Sequence, residues 1–419
     1  MSDPALIVLT GLLVWAVAEA VLWALVRSLR PTFQWLITAD DETPDFPADL
    51  VAKYGRLSFD PEIGWMRRPE TTGVEQTTAG ETRFAIDADG ARVNPGWTGK
   101  TSDVAVYGDS FAFCRLVNDD ETWPHFLSHE LQTNVRNLGV GNYGMDQALL
   151  RLQREIGRLD ARCIVMAVVP ETIVRIHSFW KHYFEYGNIL AFKPRFRVEG
   201  GVLRHYAPAV RSLEDFATYR DKLDQIRALD EFYATKFRAD LLRFPYVARL
   251  ALRARRLLPI LGWLLYGMVT GSPERARRRA FGVVLADNAR FTGRLLRRED
   301  ARTLLRQLTI EFARVCRSAG KQPVLVVIPQ PVDLRARLRG DGAAEQVFAS
   351  LADVLPVVDL TAKFAAQPAQ ALYAEGALGP HTSAQANRMI AAELAAALRQ
   401  ATRGLLGTAD DTMGTRAHA

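Results

Sequence analysis

A serine on a tight glycine turn and a histidine just ahead of the last helical stretch are the residues whose types and placing best suit nucleophilic chemistry. Gly108-Asp109-Ser110 follows the apolar run Val104–Tyr107. A strand entering such a turn presents the Ser110 hydroxyl at its carboxyl end, where open α/β sheets hold their ligands. An unassisted hydroxyl is too weakly acidic to attack an ester at neutral pH, so a base is required, most often histidine. Of the seven histidines, His381 in Gly379-Pro380-His381-Thr382-Ser383 falls on a loop at the same sheet edge. His125, His129, His177, His182, His205 and His418 read as packing or surface residues.

Asn137 to Gly144 contains Gly139, Gly141 and Gly144 between an apolar run and the helical pattern Met145 to Arg158. One reading is a dinucleotide-binding turn. The acid that such a site places about 20 residues on is matched only by Asp160, which precedes the next strand instead of ending it. The other reading is a loop that offers a backbone N–H to an oxyanion, with Gly141 or left-handed-tolerant Asn142 aiming the amide.

Five short runs rich in Val and Ile would carry these loops: Val104–Tyr107, Val135–Leu138, Cys163–Val169, Val324–Ile328 and Leu355–Leu360. Separated by helical patterns, they predict a doubly wound α/β domain with a mainly parallel sheet, over residues 103–406. A chain of 419 residues with 48% hydrophobic content is long enough to bury such a core. An insertion at about 178–299, basic and aromatic, reads as helical. Ser383 to Thr402 forms a closing helix with Ser383 as N-cap, and residues 407–419 read as a disordered tail.

Ahead of the core, residues 1–38 form an anchor and its flank, and residues 39–102 a linker and a small β element. Ala5 to Val26 is apolar apart from Thr10 and Glu19, the length a membrane-spanning helix needs, and no basic region precedes it as in a cleaved signal peptide. The expectation is a single-pass anchor in the cell membrane, with Arg27 and Arg30 leaning the main domain toward the cytoplasm. The net charge is +6, and Arg is concentrated between Arg238 and Arg298, which suits lipid head groups better than nucleic acid, since no zinc-finger spacing or RNA-binding motif accompanies it. Leu257–Thr270, apolar between arginine clusters, reads either as an interfacial helix on lipid or as a buried core helix. Cys114, Cys163 and Cys316 are too few and too scattered for a disulfide framework, and no metal or cofactor constellation is visible.

In their order, these blocks resemble the SGNH/GDSL hydrolases, whose fold is a flavodoxin-like three-layer sandwich. Gly108-Asp109-Ser110 is similar to the first block, Asn137 to Gln147 to the second, and His381 to the histidine of the last. The resemblance implies Ser110 as nucleophile and first oxyanion donor, Asn142 or Gly141 as a further donor, and His381 as general base and acid. It departs in two places. Glu171, in Val169-Pro170-Glu171-Thr172, stands where the family places an asparagine, and an ionised carboxylate there would repel an oxyanion. Either it is protonated, or it points elsewhere, or Asn142 and backbone amides suffice. Leu378 stands where the triad aspartate is expected, leaving Glu375 or Asp359 to orient His381, or a dyad without an acid. More narrowly, Phe59 to Trp65, Gly139 to Gln147, Pro170-Glu171-Thr172-Ile173 and Lys193-Pro194-Arg195-Phe196 resemble an anchored bacterial subgroup often associated with surface-polysaccharide genes.

The resulting expectation is an esterase or O-acyltransferase working through a Ser110 acyl-enzyme on an acyl ester, with a glycan as one such substrate. A non-catalytic binding or assembly protein of a glycan pathway and a nucleotide-binding oxidoreductase are the alternatives. Asp109 is expected to be structural, and Arg175, Lys193 and Arg195 solvated.

Overall fold

The five Val- and Ile-rich runs form one parallel sheet in the computed structural model of the protein, which describes residues 4–376 and 379–410. The chain folds as two compact units. The second, Met66–Ile176, Phe196–Arg204 and Leu295–Ala419, contains the sheet. It opens with a hairpin, β1 (Thr72–Thr77) and β2 (Gly80–Ala85). The sheet strands are β3 (Ser102–Gly108), β4 (Asn134–Asn137), β5 (Cys163–Val168), β6 (Gln322–Val327) and β7 (Val357–Asp359). Their spatial order is β7-β6-β5-β3-β4, and every pairing is parallel.

That order reverses direction between β3 and β5, and such a switch point opens a crevice beyond the carboxyl ends of the two strands. Ser110 follows β3 and Glu171 follows β5. The two faces of the sheet are both covered, which is why the strands are apolar throughout rather than alternating with polar residues. On one face Val104, Val106, Val165, Ala167, Val324 and Val326 pack with Trp123 and Leu127 and with Ile390 and Leu394 of the helix Ala384–Asp410. On the other face Tyr107 points toward the helix Met145–Glu155, and its hydroxyl donates to Glu155 over 2.9 Å. The closing helix begins where its cap residue predicts, with the Ala386 amide donating to Ser383 Oγ at 3.2 Å. It continues to Asp410, past the expected end at Thr402. The expected tail from residue 411 onward lies outside the described residues.

The first unit, Met1–Trp65, His177–Arg195 and His205–Arg294, is mainly helical. Its helix Pro4–Leu29 continues through a short turn to Thr32, and this stretch is long and apolar enough to cross a membrane. The acidic segment after it is not a free linker. Thr38 and Asp41 close a capped turn at Ala39–Glu42, Arg30 pairs with Asp41, and Phe46 packs edge-on against Phe216 and Tyr219 at 5.1 and 4.8 Å. An aromatic residue beside the prolines gives this segment a core of its own. The expected β element divides as well: the short strands Phe59–Asp60 and Gly64–Trp65 pair within the first unit, while the hairpin β1–β2 belongs to the second.

Candidate active site

Gly108 ends β3 with φ at +153°, and a side chain there would lie 2.0 Å from the Ala167 carbonyl oxygen on β5 and 2.9 Å from Ala112 Cβ. Only glycine lets the turn lie this close to the neighbouring strand. Asp109 then caps the short helix Ser110–Phe113, its Oδ1 accepting the Phe111 amide at 2.8 Å. This is the structural role expected of it. Behind the turn, Cys114 and Leu116 adopt left-handed conformations. Their strain is held by the buried Arg92, whose guanidinium donates to the carbonyls of Phe113 (2.8 Å), Cys114 and Val117 (2.6 Å) and pairs with Asp119 at 2.7 Å.

His381 reaches this turn from the other end of the chain. Its Nε2 lies 2.9 Å from Ser110 Oγ, and its ring stacks on Phe111 with centroids 4.8 Å apart. Its Nδ1 lies 3.2 Å from the Gly379 carbonyl oxygen. A carbonyl can only accept, so Nδ1 carries the proton in that contact, and in the neutral ring Nε2 is left free to take the proton of Ser110. Both groups are almost closed to solvent, Ser110 being 6% and His381 5% exposed. Burial, with Arg115 and Arg175 adding to it, lowers the His381 pKa from 6.5 to about 4, against weaker raising by the Gly379 carbonyl and Glu75.

Neither carboxylate expected to orient His381 does so. Asp359 Oδ1 accepts the Thr361 amide at 2.8 Å. Glu375 is exposed, and its main-chain oxygen accepts from Thr78 at 3.0 Å. Nδ1 is already occupied by a main-chain carbonyl on its own loop. Leu378, at the family's aspartate position, lies outside the described residues. The carboxylate whose charge His381 does feel is Glu75, from β1, a residue that the chemistry-bearing motifs do not include. It is buried, accepting from Arg115 Nε at 2.6 Å and the Leu116 amide at 2.7 Å. The hairpin also docks the histidine loop through a bridge between Thr77 and Gly376. A side chain at Gly376 would stand 2.8 Å from Leu116.

Glu171 points into an ion pair rather than standing bare. Arg175 Nη2 donates to Glu171 Oε2 at 2.8 Å, while Arg175 Nη1 donates to Asp109 Oδ2 at 2.8 Å and to the Tyr143 carbonyl at 3.2 Å. One guanidinium thus staples the loops that follow β3, β4 and β5. Burial raises the Asp109 carboxyl above its usual range, and Arg175 is the main force opposing that rise. The expectation that Arg175, Lys193 and Arg195 are solvated is overturned. All three are buried, Lys193 donating to the carbonyls of Ser178 (3.1 Å) and Pro194 (2.8 Å), and Arg195 to that of Leu229. The spacing of Glu171 and Arg175, four apart on one helical turn, is the sequence signal for the first of these pairs.

The glycine loop is tied to the nucleophile turn, with the Val140 amide donating to the Gly108 carbonyl at 3.0 Å. Asn142 is left-handed, with φ at +69°. Gly139 and Gly144 serve close protein packing, while a side chain at Gly141 would meet nothing within 4 Å. A side chain at Gly139 would strike the Phe113 amide nitrogen at 2.4 Å, and one at Gly144 would strike Asp146 at 2.5 Å and Arg175 Cβ at 3.1 Å. The first amide of the following helix, Met145, donates to Thr172 Oγ1 at 3.0 Å. The first helix amide that a pyrophosphate would use is therefore taken by the protein's own Thr172, which weighs against the dinucleotide reading.

His125 and His129 form a separate pair, 3.2 Å between Nε2 atoms, anchored to Asn94. A surface cleft of about 490 Å³ lined by Leu296, Arg302, Arg339 and Gln346 contains none of the residues brought together around Ser110.

No known family profile matches this sequence, and no curated protein matches it either. Among solved structures, the chain is similar to a candidate lipolytic protein of the G-D-S-L family from Desulfitobacterium hafniense DCB-2, at 11% identity and a TM-score of 0.30, with 70% of this chain and 98% of that one covered.

Proposed function

We propose that this chain is a membrane-anchored serine esterase or O-acyltransferase of SGNH type, acting through an acyl-enzyme on Ser110. The observation that carries the reading is the 2.9 Å contact between Ser110 Oγ and His381 Nε2, with the ring tautomer set by the Gly379 carbonyl. In the first half-reaction His381 takes the Ser110 proton as Oγ attacks the acyl carbon, then returns it to the departing alcohol. The Ser110 amide, with that of Gly141 or Asn142, is assigned to the developing oxyanion, and the Arg175 and Arg115 guanidinium groups add a favourable field. Glu171 does not counter that field as a bare charge would, because its carboxylate is paired. Water or a sugar hydroxyl then accepts the acyl group, and polysaccharide acyl esters are the substrate class proposed.

A second reading, a weakly active or inactive binding protein of a glycan pathway, is favoured by one feature: a carbonyl, not a carboxylate, orients His381. A carbonyl fixes the tautomer but stabilises an imidazolium less than a full negative charge does. Covalent labelling separates the two. A fluorophosphonate probe is expected to modify the wild-type chain in detergent micelles and to leave Ser110→Ala unlabelled. Equal failure on both proteins, each melting cooperatively, would remove the nucleophile.

A further inference from the structure

The helix Ala254–Thr270 in the first unit carries no charge from Leu257 onward. Its inner face, Leu257, Ile260, Leu261 and Leu264, packs on Val26, Leu29, Phe33 and Leu36 at the end of the N-terminal helix. A soluble helix would be polar on the other side. This one instead exposes Leu258 (54%), Met268 (59%) and Val269 (86%), with Leu265 and Tyr266 between them. At 17 residues it is shorter than the roughly 20 needed to cross a bilayer.

The N-terminal helix sets the level at which this face sits. Glu19, its single acidic residue and only 6% exposed, accepts the amides of Tyr246 and Val247 at 2.5 and 3.0 Å. One turn nearer the N-terminus, Trp15 meets Phe244 edge-on at 5.6 Å. The stretch ahead of Trp15, from Ala5 to Val14, is about 15 Å long, against a hydrocarbon thickness of about 30 Å. A spanning helix clothed by the segment Phe244–Leu252 from Trp15 onward is too short to cross unless that segment enters the bilayer with it. Phe244 and Leu252, 64% and 76% exposed, are apolar as such a position requires. Glu19, which would otherwise be a bare carboxylate in hydrocarbon, has its charge taken up by the two amides.

We propose that the first unit is sunk into the lipid bilayer: Phe244 and Leu252 enter the hydrocarbon beside the N-terminal helix, and the outer face of Ala254–Thr270 lies in the interface. The exposed Arg255 at one end of that helix, and Arg275, Arg277, Arg278 and Arg279 just past the other, are placed to meet anionic head groups. Arg279 also lies over the Trp263 ring at 5.7 Å, a pairing suited to the headgroup level. The bilayer is favoured over a protein partner because this face is continuous with a helix that itself needs lipid, and because arginines bracket it at both ends.

The test uses the full chain in vesicles of phosphatidylcholine and phosphatidylglycerol. Single nitroxide labels are placed at Leu258→Cys, Leu265→Cys and Val269→Cys, with the three native cysteines replaced and wild-type melting retained. Their collision rates with oxygen and with a water-soluble nickel chelate are compared with those of a label at Leu338→Cys, a site 80% exposed in the second unit. An oxygen-to-nickel ratio several-fold above that at Leu338 is expected at all three. A ratio equal to that at Leu338 would place the face in water, and shielding from both reagents would place it against another protein or a second copy. Either result overturns the proposal. With Arg277, Arg278 and Arg279 changed to Glu, the ratio at Val269 is expected to fall, and an unchanged ratio would remove their headgroup role.

Discussion

Replacing His381 with alanine is expected to slow fluorophosphonate labelling of Ser110 by about 10²–10⁴-fold, the usual contribution of a positioned general base. The nucleophile itself stays in place, because Gly108, Asp109 and Arg92 hold its turn independently of the histidine. The wild-type rate should carry an unusual pH signature. Burial, with Arg115 and Arg175, holds His381 near pKa 4, so its neutral, proton-accepting form persists well below the usual histidine range. The acidic limb of the labelling rate is therefore expected near pH 4 rather than near 6.5. The sign for stability is the same: the folded chain favours the neutral ring, and its contribution is complete above pH 6.5 and lost as pH falls through about 4. A His381→Ala chain labelled as fast as wild type would show that Nε2 does not activate Ser110, and an acidic limb at or above pH 6.5 would show that burial does not hold the ring neutral.

The sheet is legible in the sequence because each strand is buried on both faces, so its apolar run is continuous and bounded by glycine or by polar turn residues. Ser110 and His381 are legible for a related reason: loops at strand ends carry recognisable residue types, and the order of the blocks restricts which can meet. Other parts depend on partners far away in the chain. Arg175 looks like a solvated cation until Asp109, 66 residues earlier, is known to lie beside it. Lys193 and Arg195 are buried by main-chain carbonyls, and a carbonyl acceptor leaves no mark in a sequence. Glu75 lies in a hairpin with no catalytic pattern of its own and reaches the histidine's surroundings only through the docking of that hairpin on the loop at Gly376. The acidic stretch after the N-terminal helix reads as a linker by composition, yet Phe46 supplies an aromatic anchor that composition averages away.

Arg175 ties together the three loops of the site, and Arg175→Met is expected to destabilise the second unit by roughly 3–5 kcal/mol, the cost of leaving a buried charge without its partner. The argument turns on Asp109, which is 3% exposed and whose carboxyl burial already drives upward. Without the guanidinium the carboxyl is pushed further upward, which weakens its hold on the Phe111 amide beside the nucleophile. Labelling of Ser110 should slow together with the loss of stability. Arg175→Lys should recover little, because an ammonium cannot span Asp109, Glu171 and the Tyr143 carbonyl as a planar fork does. Glu171→Gln separates the two carboxylates: at 27% side-chain exposure its pair with Arg175 is partly screened, and the expected cost is below about 1 kcal/mol. Thermal and urea unfolding of the four proteins in the same micelles measures the stability series, and labelling rates the chemical one. Equal losses for Glu171→Gln and Arg175→Met would move the weight from Asp109 to Glu171. An Arg175→Met chain that melts and labels like wild type would show that the three loops hold their places without the staple.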